Sequence, residues 1–135
     1  MVKITGEYSG ELHCTAIHEP SGTALATDAP KDNQGRGASF SPTDLVATAL
    51  ATCAVTTLAI VGRRHGVELS KVKYEVTKEM TAEAPRRIAR LTLKLWLPPE
   101  AKNIPAEMLK AATERCPVHL SLAPEVAKIV ELHWL

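Results

Sequence analysis

The stretch that decides the fold is Ser41–Pro42–Thr43–Asp44–Leu45–Val46–Ala47–Thr48–Ala49–Leu50–Ala51–Thr52–Cys53–Ala54–Val55–Thr56–Thr57–Leu58–Ala59–Ile60–Val61–Gly62. It opens with a helix-start signature: Ser41 as N-cap, Pro42 at the first helical position and Asp44 three residues after the cap. No charge follows Asp44 until Arg63. Apolar residues fall on every side of a helical wheel, the pattern of a buried helix rather than an amphipathic surface one. Gly66 reads as the C-terminal stop, and Arg63, Arg64 and His65 suit the negative end of the helix dipole. A helix from Pro42 to about His65 is about 36 Å long, enough to cross a small domain. A cysteine, Cys53, sits at its middle.

The segments around this helix alternate. Lys3–Ser9 and Glu11–Glu19 read as two strands turning at Ser9–Gly10, and Thr23–Ala29 as a third after the turn Pro20–Ser21–Gly22. Pro30–Phe40 is a polar, glycine-bearing loop expected to be mobile. Beyond the helix, Val67–Met80 and Arg87–Leu97 alternate apolar and polar residues as half-buried strands, with Ala82–Pro85 as the turn. Ile104–Pro105 opens an amphipathic helix through Arg115. Cys116–Pro117 interrupts it and starts a short helix to Leu122, and Glu125–Leu135 is a last strand. This order, βββ–α–ββ–αα–β, argues an α+β fold with antiparallel pairing. With 135 residues the chain reads as a single domain, 1–135. A helix apolar all round is hard to cover with so little sheet, which motivates a homodimer in which a second copy covers it.

Bulk properties exclude several functions. A net charge of +1 makes no electrostatic case for nucleic acid or a membrane surface. An aromatic content of 4% provides no base-stacking platform. The Leu45–Gly62 run reaches the roughly 18-residue threshold of a membrane span, but its four threonines and many alanines make it weakly hydrophobic. No signal peptide is visible, so cytoplasmic residence is expected. There, Cys14, Cys53 and Cys116 are expected to be free, catalytic or redox-active rather than structural disulfides. Gly35–Arg36–Gly37 lacks the spacing and the Lys–Ser/Thr ending of a phosphate loop.

Each cysteine has a bland and a chemical reading. Cys53 is either a small core hydrophobe or a thiol beside a small-sided apolar groove formed one turn away by Ala49, Leu50, Thr56 and Thr57. Cys116 precedes Pro117, so it falls at a helix N-cap, where unpaired N–H groups favour thiolate. Cys14 and His18 share one face of a strand; a metal site would need at least one more ligand, from His65, His119, His133 or a carboxylate, and no tight Cys/His spacing supports one.

A Ser–Pro–x–(Asp/Glu)–Leu helix start, an Ala-rich helix with a central cysteine, and Cys116–Pro117–Val118–His119 resemble the OsmC/Ohr family of osmotically induced and organic-hydroperoxide-resistance proteins. The approach Gly37–x–x–Phe40–Ser41–Pro42 adds to the resemblance, which spans nearly the whole chain. It implies an intertwined homodimer, with each long central helix wrapped by antiparallel sheets from both chains. It implies a thiol-dependent peroxidase of oxidative-stress defence, reducing organic hydroperoxides without metal or organic cofactor. Cys53 would be the peroxidatic thiol, Cys116 the resolving one, and an external dithiol the reductant. The family pattern activates the thiol with an Arg from the N-terminal hairpin, held by a Glu ten positions before the first cysteine. Here no Arg precedes Arg36, and that position is Thr43, with Asp44 beside it. Arg36, Asp44 and His119 are therefore the candidates for activating the thiol or shaping its site. Asp44 lies about 180° round the helix from Cys53 and ~13 Å along it, which makes capping its simpler role. The alternative reading is an OsmC-like dimer with weak or no peroxidase activity that binds a small apolar ligand in the interface groove.

Overall fold

The computed structural model describes residues 1–135. The elements, in order, are β1 (Ile4–Gly10), β2 (His13–His18), β3 (Thr23–Asp28), α1 (Pro42–Arg64), β4 (Lys73–Met80), β5 (Ile88–Leu97), α2 (Ala106–Glu114), α3 (Pro117–Ser121) and β6 (Ala127–Trp134), with single 3-10 turns at Lys31–Asn33 and Pro99–Asn103. The α+β class and the order of elements match the sequence reading. The chain divides into two compact units, Met1–Val46 and Ala47–Leu135.

The first unit is an antiparallel meander, β1–β2–β3. The first hairpin turns at Glu11–Leu12, two residues later than its Ser–Gly pair suggests. Both residues take positive φ, 52° and 62°, the pairing of signs that follows the right-handed twist of the strands. The loop after β3 is pinned by hydrogen bonds, where its composition suggested mobility. Gly37 N donates to Ala29 O at 3.1 Å, and Ala38 N donates to the buried Asp28 carboxylate at 3.0 Å.

The second unit carries a mixed sheet, β4–β5–β6. β4 and β5 pair antiparallel, whereas β6 joins β5 in parallel, with Leu93 opposite Val130 and Leu95 opposite Leu132. Antiparallel pairing throughout was the expectation. It fails because α2 and α3 intervene: they form a crossover that returns the chain to the starting end of β5, as parallel pairing demands. Leu91, Leu93, Leu95 and Leu97 alternate along β5 and are fully buried, with Leu109 of α2.

α1 begins in a reciprocal capping box. Asp44 N donates to Ser41 Oγ at 3.1 Å, and Ser41 N donates to Asp44 Oδ2 at 2.9 Å. It ends in a Schellman motif: Gly66, at φ 69°, donates to Arg63 O, and Val67 N donates to Gly62 O at 2.8 Å. This fold-back also explains why β4 starts at Lys73 rather than Val67. By length and composition α1 would pass for a membrane span. One stripe of it, including Ala47, Leu50, Ala54 and Leu58, is buried in the core. The all-round burial read from the wheel does not hold within one chain, because Thr52, Thr56 and Ile60 on another stripe are exposed.

Candidate active site

That accessible stripe is the floor of an open groove of about 620 Å³. Cys53, Thr56, Ile60 and Arg64 line it from α1, and Pro117 and Val118 wall it from α3. The threonines keep it apolar. Thr52 Oγ1 donates to Thr48 O at 2.9 Å, Thr56 Oγ1 to Thr52 O at 2.8 Å and Thr57 Oγ1 to Cys53 O at 2.9 Å. Each hydroxyl is thus satisfied by the helix backbone, leaving the methyl groups available to a ligand.

Cys53 is half-buried on the groove floor, and Cys116 is fully buried behind the α3 wall. Cys116 is the N-cap of α3, as its place before Pro117 predicted; its Sγ accepts a hydrogen bond from His119 N at 3.4 Å. Cys53 lies near enough to Cys116 to influence its ionisation. Burial pushes the Cys116 thiol above its ordinary pKa. The backbone N–H groups of His119 and Val118 pull the other way, and the adjacent Cys53 adds to the rise. Two sulfurs 63 positions apart in the chain are therefore brought together, one reachable from the groove and one held protonated behind it.

Of the three accessory candidates, His119 touches the cysteine pair. His119 contributes its backbone N–H to Cys116, while its ring is half-buried with Nδ1 lacking a hydrogen-bond partner. Burial lowers its pKa, helped by the Lys128 cation and opposed by Glu114. Asp44 caps α1 at Ser41. Arg36 pairs with Glu11 at 3.3 Å in the first unit, both side chains being largely exposed. Cys14 is exposed on β2, and no group of three or more His, Cys, Asp or Glu side chains is arranged to hold a metal.

Arg64 is the groove residue the sequence reading missed, having been assigned only to the helix dipole. The signal was there: eleven residues are about three full turns, so Cys53 and Arg64 share one helix face.

The family model described as OsmC-like protein matches residues 35–130. The chain belongs to the OsmC-like protein family. A crystal structure from Psychrobacter arcticus, of a protein assigned to osmotic stress induction and the detoxification response, superposes with a TM-score of 0.89 at 36% identity, covering 98% of this chain and 96% of that one. The organic hydroperoxide resistance protein OhrB of Bacillus subtilis shares the fold at a TM-score of 0.71 and 19% identity, over 98% and 97% of the two chains. An organic hydroperoxide resistance protein OsmC from Legionella pneumophila does so at 0.70 and 18%, over 98% and 96%. A search of curated proteins finds no match.

Proposed function

We propose that the protein is a thiol peroxidase that reduces organic hydroperoxides through Cys53 and Cys116, in cytoplasmic oxidative-stress defence. The observation that carries this reading is the pair itself: an accessible sulfur in an apolar groove beside a buried, protonated one.

The Cys53 thiolate attacks the outer peroxide oxygen of ROOH. An S–O bond forms, the O–O bond breaks, and the leaving alkoxide takes a proton to become ROH. Cys53 is then a sulfenic acid. Cys116 attacks that sulfur, its thiol proton leaves with the hydroxyl as water, and a Cys53–Cys116 disulfide remains. An external dithiol reduces the disulfide and is itself oxidised. The apolar walls favour alkyl over hydrogen peroxide, since they offer buried area to a carbon chain and no hydrogen bonds to a small polar solute.

In this reading both units act as one OsmC-like domain, and the active assembly is an intertwined homodimer. The exposed Ile4, Tyr8, Ile17 and Leu25 of the first unit support it, because surface of this kind is normally covered.

The test is mass analysis under non-reducing conditions after one equivalent of cumene hydroperoxide. A loss of two hydrogens, mapped to a Cys53–Cys116 peptide pair, supports the peroxidase; unchanged thiols with no turnover under excess dithiol reject it. One observation favours a second reading, an OsmC-like binder of small apolar ligands with weak or no peroxidase activity. Arg64 is the sole charged side chain lining the groove, and it stands three turns from Cys53 rather than beside it.

A further inference from the structure

Cys116 is the only buried residue between Glu114 and Glu125. None of the five residues of α3 is buried, and Leu120 is 68% exposed. A helix this short does not hold itself in water, so α3 depends on its anchor and its hydrogen bonds. Leu120 N donates to Cys116 O at 3.1 Å and Leu122 N to Val118 O at 3.2 Å. His119 N donates to Cys116 Sγ at 3.4 Å, the side-chain cap of the helix. One sulfur is therefore both the buried anchor and the cap, and it is the same sulfur that lies near Cys53. Unbonded sulfurs stand roughly 3.5 Å or more apart, and a disulfide brings them to about 2.05 Å. Pairing thus closes about 1.5 Å. Cys53 sits mid-way along a 23-residue helix, with Ala51 and Ala54 fully buried on either side of it. The backbone of α1 stays in place, and the movement falls on Cys116 and the short helix it anchors. A bond already 3.4 Å long does not survive it.

We propose that α3 is a redox-sensitive gate over Cys116: capped and closed while the pair is a dithiol, uncapped and opening when the pair is a disulfide. The role of the gate rests on the peroxidase reading. Forming the disulfide takes two electrons and two protons from the thiols, and ROOH accepts them to leave as ROH and water. Opening of α3 then exposes the Cys116 sulfur to the external dithiol. One thiolate of that dithiol attacks Cys116, an S–S bond forms, and Cys53 leaves as a thiolate. The second thiol of the reductant displaces Cys116, which takes a proton, and the reductant departs as a disulfide. The released sulfur returns to His119 N and the gate closes. A thiol that is exposed only after oxidation is shielded from other electrophiles until it has paired with its own partner.

The gate is tested by amide hydrogen exchange, read by NMR on the full-length protein. The reduced form is compared with a disulfide form made with diamide, which takes two hydrogens from the thiol pair and becomes a hydrazine; mass analysis checks the Cys53–Cys116 link. The amides of His119, Leu120 and Leu122 should exchange about fivefold faster in the disulfide form, the factor that one lost cap gives, while those of α1 keep their rates. Cys116→Ser keeps an oxygen cap and cannot form the link, so it should show reduced-state rates with and without diamide. Unchanged or slower exchange of α3 in the native disulfide form, no Cys53–Cys116 link with diamide, or a diamide effect on α3 of Cys116→Ser overturns the proposal. Access is read in the reduction step. Leu120→Gly and Leu120→Ala both lack the leucine side chain and differ in backbone freedom. The disulfide of Leu120→Gly should be reduced by dithiothreitol about fivefold faster than that of Leu120→Ala, because glycine loosens the helix. Equal rates would mean attack on Cys53 past a closed α3, and overturn the gate. Absence of turnover with cumene hydroperoxide would reject the peroxidase reading and leave the diamide results standing.

Discussion

The backbone N–H of His119 donates to Sγ of Cys116 at 3.4 Å, so one sulfur both caps α3 and faces the sulfur of Cys53. This dual role separates two substitutions that remove the same thiol. Serine at position 116 keeps an N-cap acceptor, and alanine does not. Cys116→Ala should therefore be less stable than Cys116→Ser by about 1 kcal/mol in urea unfolding. Both variants should stop at the Cys53 sulfenic acid after peroxide, trapped as an adduct with a dione reagent.

The raised pKa of Cys116 makes stability fall at alkaline pH. Above the free-thiol value of ~8.5 the unfolded chain releases this proton while the folded chain keeps it. Its contribution is complete below that value and is lost as pH climbs toward the folded pKa. Thermal midpoints measured from neutral pH to about pH 10 should drop more steeply for the native protein than for Cys116→Ser, which has no group titrating there.

His119 acts on the acid side. Burial, with Lys128 nearby, lowers its pKa, so between its ordinary ~6.5 and the folded value the unfolded chain takes up a proton that the folded chain refuses. Stability falls as pH drops through that window. His119→Gln should flatten this part of the profile, read as a smaller loss of thermal midpoint between about pH 7.5 and about pH 5.

Gly62 lies under the chain that folds back after α1. A Cβ there would sit 2.7 Å from Val67 O and 3.0 Å from the Leu69 side chain. Gly62→Ala raises local helix propensity by about 1 kcal/mol, but the backbone clash should dominate. Urea unfolding should show a net loss of about 1–3 kcal/mol, the usual cost of overpacking.

At the other end of α1, Asp44→Ala removes the acceptor for Ser41 N. It should cost about 1 kcal/mol of unfolding free energy. Asp44→Asn, which keeps an acceptor oxygen, should cost less than the alanine variant in the same urea titration.

Much of this architecture was legible in the chain because it depends on local chemistry. Ser41–Pro42–Thr43–Asp44 marked the start of α1, Gly66 its end, and Cys116–Pro117 the cap of α3; each appears where a few neighbouring residues satisfy the free N–H and C=O groups of a helix terminus. Alternation along Ile88–Leu97 marked the buried face of β5. The resemblance of the motifs located the family.

What needed the tertiary structure was everything set by partners distant in sequence. β6 pairs in parallel because of where the α2–α3 crossover returns it, a direction its own residues do not encode. Only one stripe of α1 is buried within the chain, because burial depends on what covers a face as well as on its composition. Arg36, the sequence reading's candidate for an activating cation, pairs with Glu11, 25 positions away. Arg64, read as a helix-end charge, lines the groove of Cys53. The sequence by itself determined which residues could do thiol chemistry and which helices would hold them. The fold decided that Cys53 is reachable, that Cys116 is buried and protonated beside it, and that the groove has one cation at its far end, because exposure, desolvation and charge pairing are properties of surroundings assembled from the whole chain.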